Sequence, residues 1–173
     1  MGMDSGKLSK RAKQPGHDRT FVKSEMNFEA ALAIILDSEE FEIDPKPDEL
    51  RKIFDDRFGI VPEVCIRHKR TRRPMYFEVK KQGPAGNADE RACKHHTVQF
   101  QRTLLLVTGV EYHAFCTVFC ESLATDERYT IKHPYFFEEG RYFLWDGYDL
   151  ESLRDFLEEN ILPLLRVGDV ELR

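Results

Sequence analysis

The sequence is poor in the features that mark secreted, zinc-bound or membrane proteins. No apolar run approaches the roughly 18 residues that a membrane span needs, so no membrane partner is expected. Only four cysteines occur (Cys65, Cys93, Cys116 and Cys120), and none belongs to a C-x-x-C pair. Cys116 and Cys120 are four apart in a stretch that reads as a strand, so they do not converge as zinc ligands do. Reduced cysteines packed as small hydrophobes are expected instead. The opening residues Met1-Gly2-Met3-Asp4 are polar and lack the apolar core of a secretory signal, which makes a cytoplasmic location the expectation. A general excess of positive charge is also missing. The net charge is −5, against a wholly basic nucleic-acid binder.

What is present is uneven. Residues 1–23 carry six Lys/Arg against Asp4 and Asp18. Residues 67–73, Arg-His-Lys-Arg-Thr-Arg-Arg, hold five positive charges, whereas residues 134–173 hold ten Asp/Glu against four Arg. A basic face opposed by an acidic tail suits a protein that presents one side to an anionic polymer, although such a run also occurs as a solvated loop. At 173 residues the chain suits one domain with its own core. Residues 1–23 read as a basic, flexible arm and residues 24–173 as a single domain.

Periodicity predicts a helix over 27–37 and a second from Pro45–Asp48 to about Phe58, stopped by Gly59. Strands are expected over 61–67 and 75–80, joined by the basic run as a hairpin loop. Gly83-Pro84-Ala85-Gly86 is a turn. Asn87, with Glu90 three residues on, is expected to cap a long helix running to about Val107. Strands are expected over 111–121, 128–132 and 141–145. A final amphipathic helix, capped by Asp149, runs through Leu165. The order ααββαβββα gives an α/β fold with a central mixed five-stranded sheet flanked by helices.

Two stretches carry chemistry. In Glu78-Val79-Lys80, residues i and i+2 of a strand share a face, so Glu78 and Lys80 point together while Val79 turns to the core. Pro62-Glu63 begins the partner strand fifteen residues before Glu78. Hairpin pairing would therefore bring Glu63 toward Glu78. Two carboxylates can hold a hard cation such as Mg²⁺, and a lysine between them can orient water or stabilise charge at a phosphodiester. The pattern E-x-K is also common on strand surfaces. The second stretch is Gly86-Asn87-Ala88-Asp89-Glu90-Arg91. At a helix start, Asn87 and Arg91 share a face, and Asn can pair bidentately with adenine. The same run also reads as a capped helix with a surface Arg–Glu pair. His95 and His96, further along, are expected on the helix surface, and Trp145 in the core.

Taken together, Pro62-Glu63, Glu78-Val79-Lys80 and Gly86-Asn87-Ala88-Asp89-Glu90-Arg91-Ala92-Cys93-Lys94 resemble the type II restriction endonucleases of the EcoRI–MunI group, within the PD-(D/E)xK nuclease superfamily. The resemblance spans about residues 58–165. It implies a restriction-endonuclease-like fold and Mg²⁺-dependent hydrolysis of double-stranded DNA at a short palindrome. It also implies a homodimer, with a cognate DNA methyltransferase as genetic partner. By resemblance, Glu63 and Glu78 are metal ligands together with the Val79 carbonyl, and Lys80 positions the attacking water. Asn87 and Arg91 contact the adenines of a central AATT, Gly86 and Ala88 face the pyrimidines, and Glu90 holds an arginine. Arg67, Lys69, Arg70, Arg72, Arg73 and Lys94 are candidate contacts to the DNA backbone.

The sequence departs from the group at two places. Glu63 stands where the group has aspartate, and Ala85 stands where an arginine reads the outer base pair. The basic loop and the Gln82 region are the candidates for that outer readout. Other readings of the same residues are one subunit of a heteromeric restriction enzyme, a nickase, or a sequence-specific DNA-binding protein with a weakened active site.

Overall fold

Five strands form one mixed sheet in the order β1-β2-β3-β4-β5. The computed structural model describes residues 25–45, 47–54, 60–83, 85–109, 114–147 and 149–167. The strands are β1 (Phe41–Pro45), β2 (Val64–His68), β3 (Pro74–Gln82), β4 (Phe115–Glu121) and β5 (Tyr142–Trp145). Pairing is antiparallel across β1, β2 and β3, then parallel across β3, β4 and β5. The basic run is the β2–β3 hairpin loop, as expected. The residue 1–23 arm lies outside the described residues.

Parallel neighbours need crossovers, and these cover one face of the sheet. Between β3 and β4 run α3 (Ala88–Ala92), a 3₁₀ turn (Cys93–His95) and α4 (Val98–Thr108). Between β4 and β5 run α5 (Ser122–Thr125), α6 (Glu127–Thr130) and α7 (His133–Phe136). The opposite face is covered by α1 (Glu25–Ile35), α8 (Leu150–Asn160) and α9 (Leu162–Arg166). There Phe28, Leu32, Leu153, Leu157 and Ile161 pack on Ile66, Phe77, Val79, Val118 and Trp145. This alternation buries Val79 in the core and turns Glu78 and Lys80 to the crossover face. On that face two apolar clusters flank Glu78. Tyr76, Phe100, Leu104 and Phe115 form one, and Ala92, Phe119, Leu123, Tyr129 and Phe137 the other.

Several boundaries differ from the sequence expectation. The stretch expected as a strand over 128–132 is helical. Asp126 accepts a hydrogen bond from Arg128 N–H and starts α6, which turns Tyr129 inward. The fifth strand is β1 instead, an edge strand, where terminal Pro45 is tolerated. The long helix expected from Asn87 to Val107 breaks in two. Thr97 accepts from Phe100 N–H and caps α4 anew, and Gly109 ends that helix at φ 64°. The final helix likewise divides, with Pro163 in the first turn of α9. The second helix is short, α2 (Asp48–Arg51), and its expected extension gives way to a turn over 52–54; residues 55–58 and the Gly59 stop lie outside the described residues. So do Pro84 of the turn and 111–113 of the strand that begins at Phe115. All four cysteines are free.

His95 is not on the surface, and His96 is half-buried. His95 is fully buried, with Nε2 2.9 Å from Ile60 O and its ring against Phe100 and Phe115. Burial pushes the His95 imidazole down to about 3 and that of His96 to about 4. A buried histidine with a depressed pKa binds its proton more readily in the unfolded chain. Stability is therefore present above the unfolded value near 6.5 and falls as pH drops toward the folded values. Acidification from pH 7 to 5 should cost about 2 kcal/mol from His95 and less from part-exposed His96. Urea midpoints across that range should show the loss, and His95→Phe should flatten it. A wild-type slope in that variant would exclude His95 as the cause.

Candidate active site

The site grows from a length mismatch between neighbouring strands. β2 begins at Val64, paired with Phe77, but β3 continues to Gln82 with β4 alongside it. The β2 side of β3 therefore has no strand partner beyond Phe77. Glu63, just before β2, fills that gap. Its N–H donates to Phe77 O at 3.0 Å, and its Oε2 accepts from Val79 N–H at 3.2 Å. A buried strand N–H needs an acceptor, and here a carboxylate supplies it. The same hydrogen bond fixes Glu63 beside Glu78.

Lys80 joins the two carboxylates. Its Nζ contacts Glu78 Oε1 directly and lies 3.9 Å from Glu63 Oε1. Glu78 is only 4% exposed, and the Glu63 and Lys80 side chains are little more open at 15% and 18%. Charges so withdrawn from water are costly unless they are paired. Lys94, from the 3₁₀ turn, is half-buried nearby. Burial lowers its pKa, while the charges of Glu78 and Glu63 oppose the shift. Next to Glu78 in the parallel register stands Thr117, whose Oγ1 is 2.9 Å from His96 Nε2.

The arrangement suits a hard cation. Glu63 and Glu78 offer oxygen donors with no third His, Cys, Asp or Glu joining them as a ligand cage among the described residues. Magnesium takes one or two carboxylates and fills its other positions with carbonyls, phosphate and water. The residues present fit that ion better than zinc, which favours nitrogen and sulfur.

The second predicted stretch follows at once. Gly86, at φ 148°, turns the chain, and α3 starts behind Asn87. Asn87 was expected to cap this helix, but its side chain makes no cap hydrogen bond. Gln82 Oε1 instead accepts from Ala88 N–H at 2.7 Å. Asn87, Glu90 and Arg91 are exposed, Ala88 is half-buried, and Asp89 is fully buried against Lys132 at 2.7 Å. Glu90 also lies near Lys132, at 3.8 Å.

The basic loop is not brought to this site. It sits at the start of β3, roughly 25 Å along the strand from Gln82. Its side chains serve their own chain: Arg67 pairs with Glu49, Arg72 with Glu42, Arg73 with Leu164 O and Lys69 with Ser38 O, and Arg70 lies within electrostatic reach of Glu40. Gln82, expected as a candidate for outer-base readout, is 9% exposed and bonded at both ends of its amide. Tyr129 and Lys132, which hold Gln82 and Asp89, were hidden by the strand expected over 128–132, although Asp126 ahead of a polar turn was a legible helix start.

Among the described residues no helix is long and apolar enough to cross a membrane. No curated protein matches the chain in sequence. A solved structure, the MunI restriction endonuclease in complex with cognate DNA, is similar in fold. Its TM-score is 0.58 at 19% identity, over 73% of this chain and 83% of that one. The family model described as the type II restriction enzyme MunI matches residues 55–166. That match takes in β2, the Glu78–Lys80 end of β3 and the turn into α3, and it covers well over half of the chain, so the chain belongs to the MunI family of type II restriction endonucleases.

Proposed function

We propose that this endonuclease cuts both strands of double-stranded DNA at a short palindrome containing AATT, using Mg²⁺ and working as a homodimer. The observation that carries the reading is the convergence of Glu63 and Glu78 on Lys80 at the end of β3, next to a turn that exposes Asn87 and Arg91. Glu63, Glu78 and the Val79 carbonyl would hold the ion. Mg²⁺ there would polarise the scissile phosphodiester and acidify the attacking water. Lys80 orients that water and offsets charge building on the phosphoryl oxygens. Lys94, within electrostatic reach of Glu78 and Glu63, would contact the DNA backbone beside the site.

Base recognition falls to the start of α3. The Asn87 amide can pair with adenine N6 and N7, and Arg91 can donate to N7. Gly86 and Ala88 allow close approach to the pyrimidines. Glu90 steadies an arginine from its own or the second subunit. A two-fold axis between subunits matches a palindrome, and a cognate methyltransferase would protect host sites. The arm and the basic loop have no part in this reading.

The test is incubation of the full chain with unmethylated phage DNA and Mg²⁺, followed by run-off sequencing of the ends. Discrete fragments with AATT at every end support the reading. A different core would replace AATT, single-strand nicks would indicate a nickase, and a smear would remove site specificity. A shifted but uncut band would indicate a binder.

A further inference from the structure

We propose that Gln82 is a positioning residue that locks the recognition turn to the catalytic strand and so sets how strictly cleavage depends on the bases contacted. The proposal rests on the reading of Asn87 and Arg91 as base contacts.

Gln82 ends β3 two residues after Lys80, so it shares a face with Glu78 and Lys80. Both ends of its buried amide are used. Oε1 accepts from Ala88 N–H at 2.7 Å, and Nε2 donates to Tyr129 OH at 2.6 Å. Tyr129 is itself 5% exposed in α6, so the amide is held by a fixed part of the crossover layer. The turn then closes over this side chain. A Cβ added at Gly86 would lie 2.6 Å from Gln82 Cδ and 3.1 Å from Cγ. Glycine is thus required at 86 for contact with Gln82 as well as for the φ of 148°.

The consequence concerns Asn87. Asparagine is among the strongest N-cap residues, yet here its side chain caps nothing. Gln82 fixes the first N–H of α3 from the strand below, and the Asn87 amide stays exposed. Without Gln82, the first turn is free to shift relative to Lys80. Asn87 is then free to fold back onto the Asp89 or Glu90 N–H.

The experiment measures kcat and KM on two duplexes. One carries the core that run-off sequencing assigns to the wild-type enzyme, and the other has one inner A·T pair replaced. Gln82→Leu should lower the ratio of kcat/KM between them by roughly tenfold or more, within the range of one lost bidentate base contact. KM on the correct duplex should rise while kcat stays within about threefold. Gln82→Glu keeps an acceptor for Ala88 N–H and can accept from Tyr129 O–H, so it should restore most of the ratio. Tyr129→Phe removes only the outer hydrogen bond and should give an intermediate fall; it carries the test if Gln82→Leu does not fold. A wild-type ratio in Gln82→Leu, or in Tyr129→Phe where that variant stands in, overturns the proposal. So does a ratio in Gln82→Glu no higher than in Gln82→Leu. Asn87→Ala is the control: a wild-type ratio there overturns the base-contact reading itself, whatever the Gln82 variants do.

Discussion

Lys80→Ala should leave the protein folded and able to shift a cognate duplex while cutting it about 10³-fold more slowly or worse. Lys80 is the group that meets both carboxylates, so its loss removes the ammonium from the reacting end of β3. Glu78→Gln keeps the shape of the buried side chain and removes its charge, and it should be as inactive. Single-turnover cleavage at saturating Mg²⁺ measures the chemical step, and a gel shift with Ca²⁺ in place of Mg²⁺ measures binding. Cleavage within about tenfold of wild type in either variant would show that the chemistry lies elsewhere. Lost binding together with lost cleavage would point to damage of the DNA surface instead.

The cluster of Glu63, Glu78 and Lys80 was legible because its parts are local. Alternation along Tyr76–Lys80 assigned the faces of β3, and the hairpin brought Glu63 back beside Glu78. Neither step needed a long-range contact beyond one antiparallel pairing. The role of Glu63 was only half legible. Sequence shows a longer acid where the group has aspartate. Only the structure shows that its Oε2 reaches a Val79 N–H left without a strand partner. The Asn87 cap was misread for a related reason. Propensity ranks Asn first at that position, but a buried glutamine four residues upstream of the turn's glycine takes an N–H at the helix start from outside the helix. The breaks at Thr97 and Pro163 were visible as cap and proline signals, yet apolar periodicity ran through both and outweighed them. The basic run was legible as a charged loop but not by its pairing: the fold turns Arg67 and Arg72 to carboxylates of their own chain, distant in sequence.

The last large effect is one of stability. Asp89 lies in the first turn of α3 with no exposed surface, and neither of its oxygens accepts a well-aligned hydrogen bond. Its compensation is the ammonium of Lys132, 2.7 Å away, whose own pKa Asp89 raises. The same ammonium lies over the Tyr129 and Phe136 rings, 5.2 and 5.9 Å from their centroids, which helps fix where the charge sits. Lys132→Met keeps an unbranched apolar side chain and leaves the carboxylate buried without its cation. Removing one partner of a buried pair costs about 3–5 kcal/mol, and the one-third exposure of Lys132 brings the expectation to about 2–3. For a chain of this length that corresponds to a fall in Tm of roughly 5–10 °C. Asp89→Leu added to Lys132→Met removes the stranded charge and should recover most of the loss, because an apolar pair of similar volume can replace a buried ion pair. Since Asp89 stands between Asn87 and Arg91 on the helix that presents them, discrimination against a substituted duplex should fall and recover in step with Tm. A wild-type Tm in Lys132→Met would reduce the contact to a surface ion pair. A double variant no more stable than Lys132→Met would show that the lysine stem, and not its charge, supports α3.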